Sequence, residues 1–113
     1  MTKTAEEKLI LLEEFFEKYN AVRRPDLNTT FKEEIGLRDT FELSGEYYRA
    51  DIVEIDGVEY ITIGGTDDEK YANVGVTDDL AIFPISYPDE KIEKEVRFLF
   101  GIEPYPETYP EYQ

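Results

Sequence analysis

Asp56 and Gly57 constrain this chain more than any other pair of residues. They separate two runs of alternating apolar residues, and Asp-Gly in that setting makes a two-residue hairpin turn because both central positions need positive φ. So short a loop fixes the register of the strands it joins. Ile55 must face Val58, Val53 must face Tyr60 and Asp51 must face Thr62 on one side of the ribbon. On the other side Ile52 faces Ile61, Ala50 faces Ile63, and Glu54 lies directly opposite Glu59.

The remaining elements are read outward from that hairpin. Upstream, Arg38–Leu43 alternates as a strand and is separated from Tyr47–Ile55 by Ser44-Gly45. Downstream, Val58–Ile63 is broken by Gly64-Gly65, Tyr71–Val76 resumes the period of two, and Leu80–Ile85 forms a further strand after Thr77-Asp78-Asp79. Toward the N-terminus, Thr4 and Glu7 form a capping box ahead of Leu9, Leu12, Phe16 and Tyr19 at helical spacing, which predicts a helix from about Thr4 to Tyr19. Asn20 is its stop. A second, shorter helix is expected from Thr30, capped by Glu33 and released at Gly36. The last helix opens at Pro88 and Asp89, carries Ile92, Val96 and Leu99 on one stripe, and ends at Gly101.

Helices gathered at the two ends of a strand series predict an α+β fold, an antiparallel meander of about five strands with two N-terminal helices and one C-terminal helix on one side. The expected packed face is Leu9, Leu12, Phe16, Ile52, Ile61, Ile63, Val96 and Leu99. A chain of 113 residues suits one such core, assigned to residues 1–102. Residues 103–113 interleave Tyr105, Tyr109 and Tyr112 with Pro104, Pro106 and Pro110, which predicts an extended tail. That tail suits docking, either across the domain's own open sheet face or onto another molecule.

Charge narrows the function. With 27 Asp and Glu against 12 Lys and Arg the net charge is −15, which repels nucleic acid and anionic lipid. The one tight basic cluster is Arg23-Arg24, too little for phosphate-backbone binding. A partner attracted by this field is a basic protein or toxin, a basic peptide or a cation. The absence of His and Cys removes the usual base of nucleophilic triads, thiolate chemistry, disulfides and ordinary zinc ligands. No phosphate-cradling or nucleophile-elbow motif occurs around Ser44, Gly64-Gly65 or Ser86. Two carboxylates suffice for a glycosidase, yet 27 acids single out no pair.

Asp67-Asp68-Glu69 and Asp78-Asp79 could offer oxygens to Ca²⁺ or Mg²⁺ but do not match EF-hand spacing, and the reading favoured for both is a solvated turn. No catalytic residue, metal ligand or cofactor is therefore assigned. The longest apolar stretch, Leu9 to Leu12, is far short of a membrane span, and Met1 leads into Thr4-Ala5-Glu6-Glu7 instead of a secretory signal. The expectation is a cytoplasmic protein without a membrane partner.

Surface candidates follow from the same patterns. The first helix aligns Glu6, Glu13 and Glu17 on one side, with Glu14 spaced to pair Lys18. The Glu54/Glu59 juxtaposition costs a few tenths to about 1 kcal/mol unless water, a cation or a partner's Lys or Arg relieves it. If helices cover the Ile52/Ile61/Ile63 face, the opposite face presents Tyr47, Arg49, Val53, Ile55, Val58 and Tyr60, open or under the second helix or tail. The candidate partner-binding residues are Tyr47, Val53, Glu54, Glu59 and Tyr60, with Asp67, Asp68, Glu69, Asp78 and Asp79.

One stretch resembles a known family. A strand ending Ile63-Gly64-Gly65, an acidic loop, a strand with Tyr71-Ala72-Asn73-Val74, a short Asp-containing turn and Ile82-Phe83-Pro84 are similar to the centre of SUKH-superfamily domains. The resemblance implies N-terminal helices before an antiparallel sheet and a role as an immunity protein that neutralises a toxin, often a nuclease. Residues and resemblance together lead to the expectation of a non-enzymatic acidic protein-interaction module, immunity-type or inhibitory, for a basic partner. A Ca²⁺- or Mg²⁺-binding protein and a carboxylate-based hydrolase are the alternatives.

Overall fold

The computed structural model describes residues 3–27 and 39–102, so the expected helix at Thr30, Arg38 and the tail at 103–113 lie outside the described residues. Within them the chain is α+β, with a sheet of order β1-β2-β3-β4-β5, every neighbouring pair antiparallel. The elements are α1 (Ala5–Lys18), β1 (Val22–Arg24), β2 (Thr40–Leu43), β3 (Glu46–Ile55), β4 (Val58–Thr66), α2 (Glu69–Asn73), β5 (Asp78–Pro84) and α3 (Asp89–Leu99).

The N-terminal helix forms as its capping chemistry dictates. Glu7 N–H donates to Thr4 Oγ1 at 3.1 Å while Thr4 N–H donates to Glu7 Oε1 at 2.9 Å, satisfying two otherwise orphaned donors. Asn20, at φ 76°, turns the chain out of the helix. Leu9, Leu12 and Phe16 then bury against the sheet beside Ile92 and Val96 of α3, so both helices lie on one face. Phe41, Tyr48, Ala50, Ile61, Ile63 and Phe83 complete that core from the strands, with Ile52 and Leu99 partly buried at its margin. Phe16 meets Phe41 edge-on at 5.2 Å. Lys3 and Lys8 of the N-terminal segment engage Asp89, and Lys18 and Tyr19 engage Glu93, which joins α1 to α3 along their length.

The hairpin register is the one the Asp-Gly turn requires: Ile55 opposite Val58, Val53 opposite Tyr60 and Glu54 opposite Glu59. Asp56 and Gly57 adopt φ 52° and 81°, and Ser44 and Gly45 repeat those values in the β2–β3 turn.

Three local expectations need correction. Gly64-Gly65 does not end β4, which runs on to Thr66. A Cβ on Gly64 would stand 2.3 Å from Thr77 Oγ1, and one on Gly65 would stand 2.5 Å from Leu80 Cδ1, so the glycines let later segments close on both faces of a continuing strand. Tyr71–Val76 is not a strand. Asp68 accepts the Lys70 N–H at 2.8 Å as an N-cap, Glu69–Asn73 form α2, and Gly75 at φ 79° turns the chain back out. The remaining strand is β1, from the Arg23-Arg24 segment, and the pair Asp78-Asp79 lies at the start of β5 and not in a turn.

Candidate interaction surface

The sheet face turned away from α1 and α3 divides in two along β3 and β4. Toward the β2–β3 end, Tyr47 and Arg49 point out of this face but are only 7% and 6% exposed. Tyr47 packs with Leu27 and with Ala72 of α2, and its hydroxyl donates to Glu69 Oε2 at 3.2 Å. Burial, then the charges of Glu42 and Glu69, push this phenol above its ordinary value. The Arg49 guanidinium donates through Nη2 to the Gly75 carbonyl at 3.0 Å, and its Nε lies 3.5 Å from Asp51 Oδ2. Its Nε and Nη1 make no hydrogen bond although both are buried. Folding of 69–75 as helix and turn, in place of a strand, closes this half, so Tyr47 and Arg49 do not share an open surface with Val53 and Tyr60.

Toward the Asp56-Gly57 turn no helix among the described residues covers the same face. Val53 and Tyr60 are half-buried, while Ile55 and Val58 at the tip are 45% and 47% exposed. The β4–β5 register adds Pro84 opposite Tyr60 and Ile82, 56% exposed, opposite Thr62. Sequence reasoning missed Ile82 and Pro84 because it assigned no register between these strands. The alternation of Ile82 against Phe83, buried at 2%, was the available signal.

On the reverse of the tip Glu54 and Glu59 stand opposite one another, both exposed, and neither has an ion-pair partner among the described residues. The hairpin tip is therefore apolar on one face and anionic on the other.

The other acids separate into different tasks. Asp68 is the α2 cap, and Glu69 accepts from Tyr47 and lies 3.9 Å from Arg24 Nη2. Asp67 and Asp78 do come together, lining one pocket with Glu46, Gly65, Thr66 and Leu80. Among the described residues no group of three His, Cys, Asp or Glu is placed to hold a metal ion. Asp79, opposite Gly64, lies exposed on β5.

The helix stripe Glu6, Glu13, Glu17 is not a continuous acidic surface, since Glu13 is 4% exposed and Glu17 lies 3.5 Å from Arg23. Lys18 pairs with Glu93 at 2.5 Å, not with Glu14. The Arg23-Arg24 cluster is spoken for internally. Arg23 bonds Asp39 at 2.8 Å and stacks over Phe41 at 4.6 Å, while Arg24 binds Asp26 through two nitrogens and also reaches Glu42. That fork holds Asp26 below the usual carboxylate range.

No described helix is long and apolar enough to cross a membrane. Comparison of the chain with protein-family models, with curated proteins and with solved structures finds no match.

Proposed function

We propose that this chain is a non-enzymatic acidic interaction module that binds a basic protein, as an immunity-type or inhibitory protein acting in the cytoplasm would. The observation that carries the reading is the hairpin tip, where exposed Ile55 and Val58 and half-buried Val53 and Tyr60 back onto the Glu54/Glu59 pair. Apolar and tyrosyl groups exposed together mark protein-binding surfaces, and carboxylates beside them select a partner of opposite sign. The net charge of −15 adds a long-range field that speeds encounter with such a partner. The SUKH-like stretch at Val58–Pro84 agrees with an immunity role, with a basic toxin as the partner.

Capture from a lysate of the native organism, with wild type and Glu54→Lys/Glu59→Lys side by side at low and high salt, tests this. The expected result is a basic protein retained by wild type, weakened by salt and lost with the double substitution. Partners insensitive to both changes would refute the reading, as would a hydrolase activity abolished by replacing one carboxylate.

A further inference from the structure

The open half-face has a definite width and sign. Val53 and Ile55 on β3, Val58 and Tyr60 on β4, and Ile82 on β5 occupy three adjacent strands. At about 4.8 Å between strands these span about 10 Å, and the four-residue step along β4 from Val58 to Thr62, which Ile82 faces, adds about 14 Å along the strands. An α-helix with its side chains is about 10–12 Å across and rises about 5.4 Å per turn, so the patch matches a helix of two or so turns. The opposite face of the same sheet is already covered in this manner by α1 and α3.

The charge around the patch is of one sign. From Ala50 to Glu69 the chain has no Lys or Arg, while acids recur at Asp51, Glu54, Asp56 and Glu59 within the hairpin and Asp79 flanks it on β5. Asp51 is engaged by Arg49, but Glu54, Asp56, Glu59 and Asp79 make no ion pair among the described residues. A second copy of the chain would bring the same carboxylates against these, at a net charge of −15 each.

Strand addition at the β5 edge is obstructed. The Ile85 N–H bonds the Glu59 carbonyl at 3.2 Å, so alternation directs the backbone of Pro84 and Ile82 outward. Pro84 has no N–H, its carbonyl already accepts from Tyr87 N–H at 3.1 Å, and the ladder is irregular between Ile63 and Gly64.

Resting on the interaction-module reading, we propose that this half-face receives an amphipathic α-helix of the basic partner. Its apolar stripe lies on Val53, Ile55, Val58, Tyr60 and Ile82, and its flanking Lys or Arg side chains lie over Asp56 and Asp79.

Two synthetic peptides of about 18 residues and identical Leu/Lys composition test this on the full chain, one patterned with helical period and one alternating as a strand. Binding is followed by backbone amide NMR shifts and by peptide helicity. The expected result is preferential binding of the helical peptide, gain of helicity, and shifts centred on Val53, Ile55, Val58, Tyr60 and Ile82. Ile55→Asp and Val58→Asp, at exposed positions that tolerate folding, should each weaken it about 10-fold or more. Ile10→Asp, the same charge change on an exposed site of α1, should weaken it less than about 3-fold.

Equal loss in Ile10→Asp and Ile55→Asp would show that binding does not depend on the half-face, since an added carboxylate by itself favours a cationic peptide, and would overturn the proposal. So would preference for the alternating peptide with shifts along Leu80–Ile82, or sedimentation showing a dimer that Ile55→Asp dissolves. These outcomes leave the interaction-module reading standing if a basic partner is still captured. Failure of both peptides together with capture of no basic protein would remove both.

Discussion

The two halves of the β3–β4 hairpin are written in one sequence code and have opposite fates. Near the β2–β3 turn, Tyr47 and Arg49 alternate with Tyr48 and Ala50, and both faces are buried. Near Asp56-Gly57, Val53 and Ile55 alternate with Ile52 and Glu54, and the outward face stays open. Period two specifies which residues share a face, but cover must come from another segment, here the short α2 and its turn at Gly75. The uncovered half is therefore the one available to a partner.

The largest test of that contrast is in the core. Ile61→Ala, at a position with 0% exposure, should cost about 2–5 kcal/mol in denaturant melts. Ile55→Ala at the open tip should stay within about 0.5 kcal/mol. A loss from Ile55→Ala rivalling that from Ile61→Ala would mean the tip is covered in solution.

Gly64→Ala probes how the covered half is closed. Its Cβ would meet Thr77 Oγ1 at 2.3 Å, and the expected cost is about 1–3 kcal/mol as the segment before β5 is pushed off the strand. Adding Thr77→Ala should recover part of that loss, because it removes the nearest atom. A neutral Gly64→Ala would show that Thr77 does not close on this strand.

These two sites also mark how far the sequence could be read. Alternation and the Asp-Gly turn were enough to place Ile61 inside. Gly64-Gly65 looked like an end because glycine usually weakens a strand, and only the approach of Thr77 and Leu80 from elsewhere gives those glycines their purpose. In the candidate surface, Val53, Glu54, Glu59 and Tyr60 were legible from register alone. Tyr47 was placed on the same face as Val53 and Tyr60, and its cover by α2 was missed because Tyr71–Val76 was read as a strand.

A smaller effect is expected from acid. Hydrogen bonds from Lys3 and Lys8 hold Asp89 below the usual carboxylate range, and those from Lys18 and Tyr19 do the same for Glu93. Both carboxyls bind a proton more weakly folded than unfolded. Their contribution is thus present above the unfolded value near pH 4 and is lost as pH falls through the lower folded values. Glu95 has the opposite sign, since burial pushes it up and protonation favours the fold. Thermal melts should show Tm falling below about pH 4, with a shallower fall in Asp89→Asn. Parallel profiles for the two proteins would remove Asp89 from the α1–α3 attachment.

The smallest effect belongs to the open tip. Glu59→Lys turns a like-charge pair into an opposite one and should stabilise by a few tenths to about 1 kcal/mol, diminishing with salt. Destabilisation would mean that something other than water already compensates Glu54 and Glu59.

By itself the sequence determined what neighbouring residues settle among themselves. Thr4 and Glu7 cap α1, Asn20 ends it, and Asp56-Gly57 sets the register that faces Val53 with Tyr60 and Glu54 with Glu59. These outcomes rest on hydrogen bonds and backbone dihedrals within a few residues, so local chemistry fixes them. Tertiary structure decided the rest. Tyr71–Val76 has a strand's alternation, yet Asp68 caps a helix there and Ala72 buries against Leu27 and Tyr47. Arg23 and Arg24, to which the sequence assigned no element, pair as an edge strand whose guanidinium groups find Asp39, Asp26 and Glu42. The Asp68 cap and the Arg24–Asp26 fork are local. The burial of Ala72 on Leu27 and Tyr47 and the pairing of Arg23 with Asp39 and Arg24 with Glu42 join segments far apart in the chain, where long-range contacts outweigh differences in intrinsic propensity of a fraction of a kcal/mol per residue.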